Sequence, residues 1–158
     1  MWNEQIIMML LEGIKDTLYM TLTSTLIGYV IGLPMGILLT VTDKDGIHPN
    51  AAVYKVLDVI ANLIRSVPFL ILLIVLIPFT RFLIGRSYGP TATIVPLVIA
   101  AAPYIARMVE SSLKEVDAGV IEAARSMGAS NFTIVTKVML VEARTSPVSY
   151  THLTLPTI

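Results

Sequence analysis

The chain has 158 residues, of which 55% are hydrophobic and 14% charged, and its mean hydropathy is +0.79; those values exclude an ordinary soluble domain. Eleven Lys and Arg balance eleven Asp and Glu, so a net charge of zero gives no argument for nucleic acid or for an acidic partner. The lack of cysteine excludes a disulfide framework, a thiol nucleophile and a Cys-based metal site.

The charges are unevenly placed. Residues 17–42, 66–80 and 87–106 carry none. A helix needs about 20 apolar residues to cross a hydrocarbon core. The first and third runs suffice alone, and the middle one must recruit residues upstream of Arg65. Met1 to Asp16 lacks a basic n-region and a small-residue cleavage site, so the first run reads as a retained membrane helix rather than a signal peptide. In that leading segment Ile6, Ile7, Met9, Leu10 and Ile14 are interspersed with Glu4, Glu12 and Lys15. It either lies along the membrane surface or extends the first helix.

Span one is expected over about 17–41. Gly28, Gly32 and Gly36 are four apart and share one face, the arrangement that lets helix backbones approach in lipid. Pro34 removes one backbone hydrogen bond and is expected to bend the helix. Asp43 to Gly46 and Pro49-Asn50 then form a connecting loop.

Span two is expected over about 56–80. Asp58 and Arg65 differ by only about 20° around a helix, with Asn62 nearby, so the three form an intramembrane polar stripe. Facing lipid would be costly, so the stripe should face protein or water. Both helix packing and substrate contact are compatible with it. Leu72 is expected on the lipid side. Pro68 should break or kink the helix close to the stripe. Arg81 to Pro90 reads as a short loop containing Gly85 and Gly89. Span three is expected over about 91–109, small-sided at Ala100, Ala101, Ala102 and Ala106 and flexible at Pro96 and Pro103.

After the spans comes a short amphipathic hairpin. Asp117 can cap a helix starting at Ala118, and Gly128 can end it in the left-handed conformation. Ser130 can cap a second helix through Phe132, Ile134, Val135 and Val138. Val120, Ala123, Ala124 and Met127 fall on one face of the first helix. That face is apolar but low, so another surface could approach the backbone closely. Glu122 and Arg125 lie away from it. From the pattern alone, a surface hairpin packed on its own protein is the competing reading.

Glu122-Ala123-Ala124, then three residues, Gly128, then nine residues and Val138-x-Leu140 resembles the EAA loop of ABC-importer permeases, the binding-protein-dependent transport components of the inner membrane. The stretches Arg65 to Leu73, Ile77 to Arg81 and Ala101 to Glu110 strengthen the likeness, which covers about residues 10–143 and is greatest to the members for methionine uptake. Val141 stands where the family usually has Pro. The resemblance implies an all-α polytopic helical membrane protein with three transmembrane helices here and a cytoplasmic coupling loop. It implies Glu122, Ala123, Ala124, Met127 and Gly128 as the ATPase-coupling residues. The implied partners are an ATP-binding cassette ATPase subunit, which holds the ATP, a substrate-binding protein outside the membrane, and a second copy of the permease. Transport of another polar amino acid, a non-transport membrane anchor and an intramembrane enzyme are the alternatives.

Lys and Arg placement gives an orientation. Arg107, Lys114, Arg125, Lys137, Arg144, Lys44 and Lys55 lie on the side of the hairpin, against Lys15, Arg81 and Arg86 on the other. The excess puts the hairpin in the cytoplasm and the N-terminus outside. Residues 144–158 show neither helical periodicity nor a long apolar run, whereas family members continue with further membrane helices. They are expected to be a non-family tail, disordered or foreign, on a truncated permease. There is no phosphate-binding loop of the G-x-x-x-x-G-K-[ST] type. His48 and His152 are isolated, without metal-ligand spacing. No nucleophile elbow or H-E-x-x-H helix is present. Neither an enzyme nor a bound cofactor is expected.

Overall fold

The computed structural model describes residues 4–143, and every regular element among them is helical. The expected tail over 144–158 lies outside the described residues. The elements are α1 (Glu4–Thr42), α2 (Ala51–Ser66), α3 (Phe69–Val75), α4 (Ile77–Ile84), α5 (Pro90–Lys114), α6 (Ala118–Ser126) and α7 (Asn131–Thr133), followed by a π-helical turn (Ile134–Met139) and α8 (Leu140–Ala143). Helices α1 and α5 are each long and apolar enough to cross a membrane, and α2 with α3 makes a third crossing if the bent pair is one span.

The leading segment is part of α1, which starts at Glu4 and runs unbroken through Pro34. Ser24, Thr40 and Thr42 are buried polar residues in this helix. Each hydroxyl donates to the carbonyl four residues back, at 2.6 Å to Met20, 3.0 Å to Gly36 and 2.6 Å to Leu38. That local bond satisfies a hydroxyl where no water is at hand.

Span two is not a single straight helix. It begins at Ala51, stops at Ser66, and resumes at Phe69 after a bend of 106°. Pro68, at the cap of α3, has no N–H to continue the ladder. A second interruption falls at Leu76, because Pro78 stands in the first turn of α4, where a missing N–H costs nothing. Helix α4 carries Arg81 and ends at Gly85, with φ +81°, so the inter-span loop is shorter than the expected Arg81 to Pro90. Leu72, expected to face lipid, is buried.

The described residues divide into two compact units, one of residues up to Leu33 with Val59–Ile105, the other of Pro34–Asp58 with the residues from Ala106 onward. In the first, a Cβ placed on Gly32 would lie 2.7 Å from the Ala102 carbonyl oxygen, and one on Gly28 would lie 3.3 Å from the Ala101 Cβ. In the second, a Cβ on Gly36 would lie 2.7 Å from the Val109 Cβ. All three glycines of the expected packing face therefore meet α5. In the second unit Leu113, Ala124, Ile134, Val135 and Met139 form a buried apolar cluster, with Ile37, Val41 and Ile121 packed against it.

Candidate functional site

The amphipathic hairpin lies in the second unit and follows the caps its sequence announces. The Asp117 carboxylate accepts the Gly119 N–H at 2.7 Å, and the Ser130 hydroxyl accepts the Thr133 N–H at 3.3 Å. Helix α6 ends with Gly128 at φ +79°. The Ala129 N–H donates to the Ala124 carbonyl at 3.1 Å and the Gly128 N–H to the Arg125 carbonyl at 3.0 Å. This is the Schellman pattern, in which a left-handed glycine lets two terminal carbonyls be satisfied. Asp117→Ala is expected to destabilise the unit by about 1 kcal/mol, and Gly128→Ala by a further ~1 kcal/mol for forcing a Cβ into the left-handed region. Thermal melting of each variant checks both.

The expected coupling residues separate into two sets. Ala124 is buried, seated in the apolar cluster under the hairpin. Val120, Ala123 and Met127, from the same stripe of α6, are exposed, Met127 at 82%. One small residue thus anchors the helix while its neighbours leave an apolar strip uncovered. Glu122 and Arg125 are also exposed. They join Asp43 and Lys114 in lining a cavity of about 740 Å³ in the same unit. Beyond Ser130 the second helix passes into the π turn and then α8, and continues through Val141. Among the described residues no group of His, Cys, Asp or Glu is placed to hold a metal ion.

The same unit holds an ion-pair chain that a single-helix view of the sequence misses. Asp58 pairs with Arg107. Arg107 Nη1 lies 2.7 Å from Glu110 Oε2, Lys114 Nζ lies 2.8 Å from Glu110 Oε1, and Lys114 Nζ lies 2.6 Å from Asp43 Oδ2. The Tyr54 hydroxyl donates to Glu110 Oε1 at 3.4 Å, and Lys114 Nζ stands 5.7 Å from the Tyr54 ring centre. Glu110, only 5% exposed, is the hub of five charges from α2, α5 and the loop after α1. The signal was present: Arg107, Glu110 and Lys114 follow at i, i+3 and i+7 and so share one helix face. The Asp43 carboxyl is held below its ordinary value chiefly by the hydrogen bond from Lys114, with the Lys44 N–H adding to it and burial opposing. The stability from that pairing is present above the unfolded carboxylate value, and is lost as pH falls through the lowered one.

The expected polar stripe is divided. Asp58 takes Arg107 as its partner, whereas Arg65 is exposed in the first unit, where it lines a cavity at the α2–α3 break. Asn62 is exposed one turn before it.

Comparison with known proteins gives this arrangement its context. The model of the family described as binding-protein-dependent transport system inner membrane component matches residues 7–156. The chain belongs to that family. It is 48% identical over 156 residues to the D-methionine transport system permease protein MetI of Salmonella typhimurium strain LT2, covering 99% of this chain and 72% of that protein. The corresponding Escherichia coli K12 protein is also 48% identical, with the same coverage. Among solved structures, the MetNI methionine ABC transporter in inward facing conformations aligns with a TM-score of 0.88 at 50% identity. That alignment covers 90% of this chain and 66% of that one. An amino acid ABC transporter with histidines aligns with a TM-score of 0.53 at 27% identity. The chain thus spans about two thirds to 72% of the length of these permease relatives.

Proposed function

We propose that this chain is the membrane-spanning permease subunit of an ABC importer for methionine. It is a transport subunit, not an enzyme: ATP is bound and hydrolysed by a partner ATPase subunit, a substrate-binding protein delivers the amino acid from outside, and two copies of the permease form the path. The hairpin faces the cytoplasm and the N-terminus lies outside, in keeping with the Lys and Arg excess on the hairpin side. Methionine follows the names of the relatives. The coupling role rests on one observation above all, that α6 is capped at both ends and held by Ala124 while Val120, Ala123 and Met127 stay exposed.

In this function Glu122, Ala123, Ala124, Met127 and Gly128 form the place where ATPase motion enters the permease. A groove on the ATPase admits the strip only while its side chains stay slender and uncharged. Closure of the ATPases displaces α6, and the rigidly seated Ala124 passes that displacement to the cluster beneath it. Transport then requires substrate affinity to differ between the states so reached. Ala123→Asp would bury an unpaired carboxylate in the contact, at a cost of about 3 kcal/mol, or roughly a hundredfold in affinity. The expected result is loss of ATPase capture and of ATP-dependent methionine uptake, with membrane insertion retained. Normal capture and uptake in this variant would reduce α6 to a surface hairpin.

A further inference from the structure

The first unit contains a cavity of about 530 Å³ at the break between α2 and α3, lined by Ile64, Arg65, Val67, Leu72, Leu97 and Tyr104 among others. Leu97 and Tyr104 lie about 10 and 21 Å along α5 from Pro90, so the cavity sits within the depth of a hydrocarbon core about 30 Å thick. Among the described residues no carboxylate pairs with Arg65. A cation at that depth without an anion is costly, and such residues mark substrate paths. The break supplies the complementary group. Pro68 stands where a helix would present an N–H to the Ile64 carbonyl, and proline has none to give. Arg65, Tyr104 and the Ile64 turn therefore line one cavity whose other lining residues are apolar, the composition of a small-ligand site.

We propose that this cavity binds the transported solute as a zwitterionic α-amino acid with an unbranched apolar side chain. The α-carboxylate pairs with the Arg65 guanidinium, whose planar fork suits it. The ammonium donates to the Ile64 carbonyl and the Tyr104 oxygen, and the side chain lies along Val67, Leu72 and Leu97. The inference rests on the transport function above and adds to it the groups that hold the solute inside the membrane.

The test is equilibrium binding of radiolabelled L-methionine to the complete permease–ATPase complex in detergent, without the binding protein, whose own site would mask the result. L-methioninol, which lacks the carboxylate, should compete at least tenfold more weakly than L-methionine. Arg65→Gln should weaken L-methionine binding about tenfold or more, the effect of losing a charge-assisted pair, and abolish the preference over L-methioninol. Arg65→Lys should keep part of that preference, and Tyr104→Phe should weaken binding several-fold without changing it. If Arg65→Gln fails to assemble, the last two variants decide. Binding of L-methionine with no preference over L-methioninol, unchanged binding in the Arg65 variants, or no binding by the unmodified complex would each overturn the site. So would displacement of phosphatidylglycerol, rather than of L-methionine, as the only Arg65-dependent event. Uptake by the unmodified transporter with its binding protein is measured in parallel. Its absence overturns the transport function, whereas normal uptake with unaltered Arg65 variants overturns the site alone.

Discussion

Glu110→Gln is expected to destabilise the second unit by about 3 kcal/mol, the loss seen when one member of a buried ion pair is removed. Glu110 is 5% exposed and joins Arg107 to Lys114. Arg107 has little access to water that could replace the lost carboxylate charge, with a side-chain exposure of 18%. Lys114, at 41%, recovers solvation and contributes little to the loss. The amide keeps a hydrogen-bonding oxygen for Tyr54, so the effect isolates charge rather than volume. Melting midpoints of the purified protein test this, with Glu12→Gln on the exposed start of α1 as the control, expected within ~0.5 kcal/mol of the parent. Equal midpoints for the two variants would show that the ion-pair chain adds nothing to stability.

Gly32→Ala should be disruptive although it adds a single methyl. The new Cβ would lie 2.7 Å from the Ala102 carbonyl oxygen and 2.8 Å from the Ile105 Cβ, and neither a helix carbonyl nor a Cβ next to the backbone can swing away. The α1 and α5 backbones must separate instead, at about 1–3 kcal/mol for overpacking. Gly32→Leu should exceed that and prevent the helices from seating, because close approach is what holds them in lipid. Gly13→Ala gives the opposite sign. Nothing lies within 4 Å of that position, so removing a helical glycine should stabilise α1 by about 0.5–1 kcal/mol. Protease resistance of the inserted chains ranks the variants. A Gly32→Ala protein as resistant as the parent would make the glycine face incidental.

Much of the fold was legible in the residues because membrane helices are written in local terms. Charge-free runs marked α1 and α5, Pro68 marked the break before Phe69, and Asp117, Gly128 and Ser130 marked the hairpin's caps and turn. Each depends on one side chain acting on its own backbone within a few residues, so the chain itself carries the information. The glycine spacing likewise announced a packed face.

Tertiary structure decided which neighbour each face meets. Asp58 and Arg65 share a helix face, but seven residues set them about 10 Å apart along the axis, and Asp58 instead pairs with Arg107 from α5. Angular position selects a face; it does not bring an ion pair within reach. Ala124 and Ala123 are adjacent in sequence and alike in chemistry, yet one is in the apolar cluster and the other is exposed, because the seating of α6 on Leu113 and Met139 breaks their equivalence. Leu72 is buried for the same kind of reason: after the 106° bend at Pro68, the face of α3 no longer continues that of α2. Sequence periodicity thus determined the helices, their caps and their breaks. Only long-range packing could set the pairing of Arg107 with Asp58 and of Lys114 with Asp43, the inward alanine and the cavity beside Arg65, since these depend on contacts between separate helices and loops.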